Sequence, residues 1–64
     1  MTYFIVFIHD DNESEWCIFE TKDSDYALKV FYDICTPPEY KKELRKTYEP
    51  LETYRTYEVI VERR

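Results

Sequence analysis

The sequence predicts a small two-layer α+β domain: a three-stranded, mainly antiparallel sheet in the order 2-1-3, one main helix on one face, and a second short helix. Three observations lead there. Residues 3–8 (Tyr-Phe-Ile-Val-Phe-Ile) are β-branched or aromatic without a break, the mark of a strand covered on both sides. Ala27, Val30, Phe31 and Ile34 recur at helical spacing. Tyr57, Val59 and Val61 alternate with Thr56, Glu58 and Ile60 near the end of the chain, as a half-buried strand requires.

The first strand, Thr2 to Ile8, takes the centre of the sheet because both of its faces are apolar. The polar run His9 to Ser14 carries the turn formers Asp and Asn. It leads into a second strand, Glu15 to Thr21, and so short a connection favours an antiparallel hairpin. Simple alternation puts Trp16 and Ile18 on one face and Cys17 and Phe19 on the other. Asp23 or Ser24 can cap the helix, which runs to about Cys35, with Asp25, Lys29 and Asp33 on its solvated side. Pro37 and Pro38 stop it. Thr36-Pro37-Pro38-Glu39 fits a capping box with proline in the first turn, so a short helix through about Lys46 is expected, exposing Lys41, Lys42 and Arg45. Pro50 ends that region. Thr53 to Glu62 is the third strand, at an edge because its second face is mixed. If residues 37–50 are only a connection, the preferred reading, it runs parallel to the second strand and antiparallel to the first; a full antiparallel second helix would reverse that direction.

Sixty-four residues make a single domain, residues 1–64, which buries only about 60 % of its unfolded surface. The aromatics compensate: seven Tyr, four Phe and Trp16 each bury a large area. Glycine is absent, which excludes glycine-rich phosphate cradles, nucleophile elbows and dinucleotide fingerprints. Two cysteines, Cys17 and Cys35, are too few for a disulfide framework, and no signal peptide or transmembrane run is visible. A reducing cytoplasm with free, buried thiols is the expectation.

The net charge is −5, and it is unevenly spread. Residues 1–39 hold nine acids against Lys22 and Lys29, a net of −7, whereas residues 40–64 hold five acids and seven bases, a net of +2. An acidic balance opposes nonspecific attraction to phosphate backbones or anionic membranes and steers toward basic partners. Asp10, Asp11, Glu13 and Glu15 crowd one loop, with Glu20, Asp23 and Asp25 following. One helix covers one sheet face, so either Tyr3/Ile5/Phe7 or Phe4/Val6/Ile8 is expected to be left as an apolar patch. A patch of that kind serves either the second helix, self-association or a partner protein.

No catalytic site is expected. His9 with Asp10 and Asp11 could in principle bind a metal or move protons, but adjacent residues diverge and no second histidine completes a site. Cys17 with His9 fails similarly, because Cys17 lies within an apolar strand. No cofactor is implied.

The residues expected to bind a partner are Asp10, Asp11, Glu13, Glu15, Trp16, Tyr3, Tyr54 and Tyr57, acids for approach and aromatics as anchors. The partner is a larger protein or complex, basic and nucleic-acid-binding. In size, acidity and single-domain build the chain resembles the small accessory proteins of phages, anti-CRISPR proteins among them. That resemblance is one of general character and implies a stoichiometric inhibitor or adaptor working in a host cytoplasm. Two alternatives stand beside it: a nucleic-acid-binding regulator using Lys41, Lys42, Arg45 and Lys46 with Tyr40 and Tyr48, and a structural homodimer.

Overall fold

The structure, a computed structural model, describes residues 1–48 and 56–64. The elements follow in the order β1 (Thr2–His9), β2 (Glu15–Thr21), α1 (Ser24–Asp33), β3 (Tyr40–Thr47) and β4 (Glu58–Arg63). They form an α+β fold in which α1 packs on one face of an antiparallel sheet. The sheet has four strands, in the order β2-β1-β3-β4.

The extra strand is the main correction to the sequence reading. Residues 40–47 pair with β1 along its whole length, from Thr2 opposite Thr47 to His9 opposite Tyr40. Lys, Glu, Leu and Arg are good helix formers, so local preference points to a helix there. The free edge of β1 offers eight residues of backbone pairing instead, and tertiary context overrides the local preference. The capping box accordingly does not form. Glu39 takes a left-handed φ of 69°, the amide of Tyr40 donates to the Pro37 carbonyl, and the chain turns into β3. Thr36 Oγ1 is left buried with no hydrogen-bond partner among the described residues.

Two consequences follow for the last strand. It pairs with β3 and not with β1, and it therefore runs parallel to β1, opposite to the expected direction. It is an edge strand, as its mixed face suggested. The start of the predicted strand, from Thr53, lies outside the described residues, as does Pro50.

Helix α1 forms where the apolar spacing placed it. Asp23 caps it, its carboxylate accepting from the Tyr26 amide at 3.1 Å, and Asp25 faces the positive end of the helix dipole. Ala27 and Phe31 are fully buried against Ile5 and Leu44, with Val30 and Ile34 packed beside them. The helix ends at Asp33, without a basic residue in its last turn. Lys42 reaches across from β3 to supply one: its Nζ donates to the carbonyls of Phe31 and, at 2.7 Å, Ile34. It also lies 4.6 Å from the Phe31 ring centre.

Both edge strands are bulged. Ile5 and Val6 face Phe19 and Cys17, so β2 carries Ile18 as an extra residue. Leu44 and Arg45 face Val61 and Val59, so β4 carries Ile60. The first bulge corrects the expected alternation, since opposed residues share a face. Trp16, opposite Phe7, and Phe19, opposite Ile5, lie on the helix side, and Cys17 lies on the other. Cys17 and Cys35 are exposed rather than buried.

The expectation of a bare apolar face is also overturned. Phe4, Val6 and Ile8 on the side away from α1 are 2 %, 2 % and 7 % exposed. On β3, Arg45 and Glu43 stand opposite Phe4 and Val6 and so share this face, where the stem of a long charged side chain can lie over apolar surface. Arg45 lies on this face, 4.2 Å from the Tyr57 ring. Tyr57 in turn meets Phe4 edge-on at 6.3 Å.

Candidate functional site

The hairpin joining β1 to β2 brings most of the expected binding residues to one end of the sheet. Its turn is held by the His9 amide donating to the Ser14 carbonyl at 2.9 Å and the Glu13 amide donating to the His9 carbonyl at 3.0 Å. The Asn12 carboxamide oxygen accepts from the Ser14 amide and hydroxyl. With no glycine available, Glu13 itself takes the left-handed position, φ 58°, which favours residues without a Cβ.

The acids of this hairpin divide between the two faces. Away from the helix, Glu15 holds Arg45 through two bonds of 2.8 and 3.1 Å, and Glu43 holds the same guanidinium at 2.8 Å. The hydrogen bond from Arg45 keeps the Glu15 carboxyl below its ordinary pKa. Burial opposes the charge on Arg45, but the bonds from Glu15 and Glu43 outweigh it and raise its pKa. Asp10 accepts from Arg64 at 2.7 Å, and that bond lowers its pKa too. These groups, with Glu13, Lys41 and Ile8, line an open cavity of about 420 Å³.

On the helix side an aromatic row crosses three strands. Trp16 meets Phe7 at 6.2 Å, Phe7 meets Tyr40 at 6.3 Å, and Tyr40 meets His9 edge-on at 4.9 Å. Trp16 closes the row at the β2 edge and is 61 % exposed. Beside the row, His9 Nδ1 accepts from the Asp11 amide at 3.2 Å, and Nε2 lies 3.8 Å from Glu39.

The structure therefore brings Asp10, Asp11, Glu13, Glu15 and Trp16 together. Tyr3 is half-buried and packs against the core under α1. Tyr57 lies on the opposite face from Trp16, against Arg45 and Phe4. Tyr54 lies outside the described residues. Sequence reasoning missed Glu39 and Tyr40 as neighbours of this end, because it placed them on a helix.

The basic run 41–46 is not a helical surface. Lys42 and Arg45 are buried and bonded inward. Lys41 lies 3.7 Å from both Glu43 and Glu62, and Lys46 lies 3.4 Å from Glu58. Tyr40 is half-buried and Tyr48 is exposed. Among the described residues, by contrast, Asp11, Glu13, Glu20, Asp23 and Asp25 are the carboxylates that enter no ion pair. All five lie between residues 11 and 25.

Among the described residues no group of three or more His, Cys, Asp or Glu side chains could hold a metal ion, and no helix is long and apolar enough to cross a membrane. The chain matches no protein-family model, no curated protein and no solved structure.

Proposed function

We propose that this protein is a protein-binding module that docks the acidic β1–β2 end of its sheet onto a basic surface of a larger protein, acting as a stoichiometric inhibitor or adaptor. One observation carries this reading: Asp11 and Glu13, in the hairpin turn that leads to the exposed Trp16, enter no ion pair among the described residues, whereas the cations of β3 are engaged within the chain. An unbalanced charged patch raises association rates with a complementary surface, and a large exposed aromatic provides the anchor. The burial of Lys42 and Arg45 and the pairing of Lys41 and Lys46 with glutamates of this chain favour this over direct contact with nucleic acid. A host enzyme whose nucleic-acid-binding surface was covered in this way would be inhibited.

The test is affinity capture from the source cells with wild-type protein and with an Asp11→Lys/Glu13→Lys variant. A basic protein retained in fixed stoichiometry by the wild type, released by raised salt and lost in the variant is the expected result. Retention indifferent to the charge reversal overturns the reading.

A further inference from the structure

We propose that His9 is a proton-operated latch on the β1–β2 turn: the neutral ring holds the Asp11 amide, and the protonated ring releases it. The turn is fastened in two ways that respond differently to acid. The amides of His9, Asp10 and Glu13 donate to the backbone carbonyls of Ser14, Glu39 and His9, acceptors that keep their lone pairs at any ordinary pH. The Asp11 amide donates instead to His9 Nδ1, at 3.2 Å. A ring nitrogen accepts only while it is unprotonated, so the neutral ring carries its proton on Nε2. A proton on Nδ1 sets donor against donor, and the Asp11 peptide must turn away.

The surroundings of the ring receive the charge. The His9 side chain is 19 % exposed and stands edge-on to Tyr40, its partner on β3, at 4.9 Å. Nε2 lies 3.8 Å from the Glu39 carboxylate, which enters no other ion pair among the described residues. Asp10, Glu13, Lys41 and Arg64 line the open cavity that His9 borders. Asp10 is held by Arg64, and Lys41 lies close to Glu43 and Glu62. Glu39 is therefore the carboxylate placed to take the imidazolium; Asp10 and Glu13 act in the same sense, and Lys41 and Arg64 oppose it. Protonation exchanges the bond between Asp11 and His9 for an ion pair between His9 and Glu39. The latch rests on the reading above only in its consequence, that the turn it releases carries Asp11 and Glu13.

The experiment follows the intact protein by NMR as its single histidine is titrated. Nitrogen shifts of the ring report which atom carries the proton, and water exchange reports each turn amide after correction for the intrinsic rate. The expected result is a neutral ring protonated on Nε2 and an Asp11 amide whose protection falls about fivefold as the ring takes up its proton. The His9 and Glu13 amides, bonded to carbonyls, should change little. His9→Phe keeps a ring beside Tyr40 and should leave the Asp11 amide unprotected at every pH. If that variant misfolds, the contrast between Asp11 and Glu13 in the wild type decides alone. The docking surface is tested separately by the charge-reversal capture, so either reading can fail while the other stands. A neutral ring protonated on Nδ1, or Asp11 protection indifferent to the charge on the ring, overturns the latch.

Discussion

Glu15 and Arg45 join hands across the central strand: they belong to β2 and β3, and their two bonds of 2.8 and 3.1 Å span the far side of β1. Arg45 is buried, with a side chain 5 % exposed. Removing it takes from Glu43, which is also buried, its hydrogen-bonded partner at 2.8 Å and leaves only the longer Lys41 contact at 3.7 Å. Arg45→Ala should destabilise the fold by about 3 kcal/mol, and Arg45→Met, which keeps the stem over the apolar strand, by less. Urea unfolding midpoints measure both.

The same pair predicts the acid limb of stability. The folded pKa of Glu15 is depressed by its bond to Arg45, so its contribution is present above the ordinary glutamate range and is lost as pH falls through the lowered value. Asp10, held by Arg64, acts in the same direction. Melting temperature should fall on acidification through that window, and the fall should be shallower in Glu15→Gln. An equal slope in the variant would assign the acid limb to other groups.

Lys42 caps α1 from a different strand. Lys42→Met keeps the packing against Phe31 but leaves the Phe31 and Ile34 carbonyls without their charged donor. The expected cost is about 2 kcal/mol, read by denaturant unfolding, with faster amide exchange over the last turn of the helix.

Thr36 carries a buried hydroxyl with no partner among the described residues. Its replacement by the isosteric valine removes that unmet polar group and should stabilise the protein by about 1 kcal/mol. A lower melting temperature in Thr36→Val would show that the hydroxyl is bonded in solution.

Glu13 sits at φ 58°, where a Cβ costs about 1 kcal/mol. Glu13→Gly should raise or leave unchanged the melting temperature while weakening capture of a basic partner. Stability and binding moving in opposite directions would mark a strained residue kept for its charge.

The bulges at Ile18 and Ile60 interrupt both open edges of the sheet, a device that discourages strand-to-strand association. Antiparallel self-pairing of β4 about Ile60 would also set Glu58 against Glu62, like against like. Sedimentation should therefore show a monomer at micromolar concentration.

Much of this was legible from residue order because it is local chemistry. Six consecutive apolar residues mark β1 as the centre of the sheet, Asp23 and the Ala27–Phe31 stripe define the helix, and the charge asymmetry is a matter of counting. Residues 40–47 were not legible. Their helix-forming composition is real, and only the vacant edge of β1, a partner remote in sequence, decides that they become a strand. That one change then settles the rest. It turns Lys42 into a helix cap and Arg45 into part of a cover over Phe4, Val6 and Ile8, and it sends the last strand outward. Bulges escape a reading by alternation for a similar reason: an extra residue is defined by the strand opposite. Sequence by itself determined which segments are apolar and which are charged; the tertiary structure decided which charges are satisfied inside the molecule and which, Asp11 and Glu13 of the hairpin among them, enter no ion pair among the described residues, because pairing depends on distances that only folding creates.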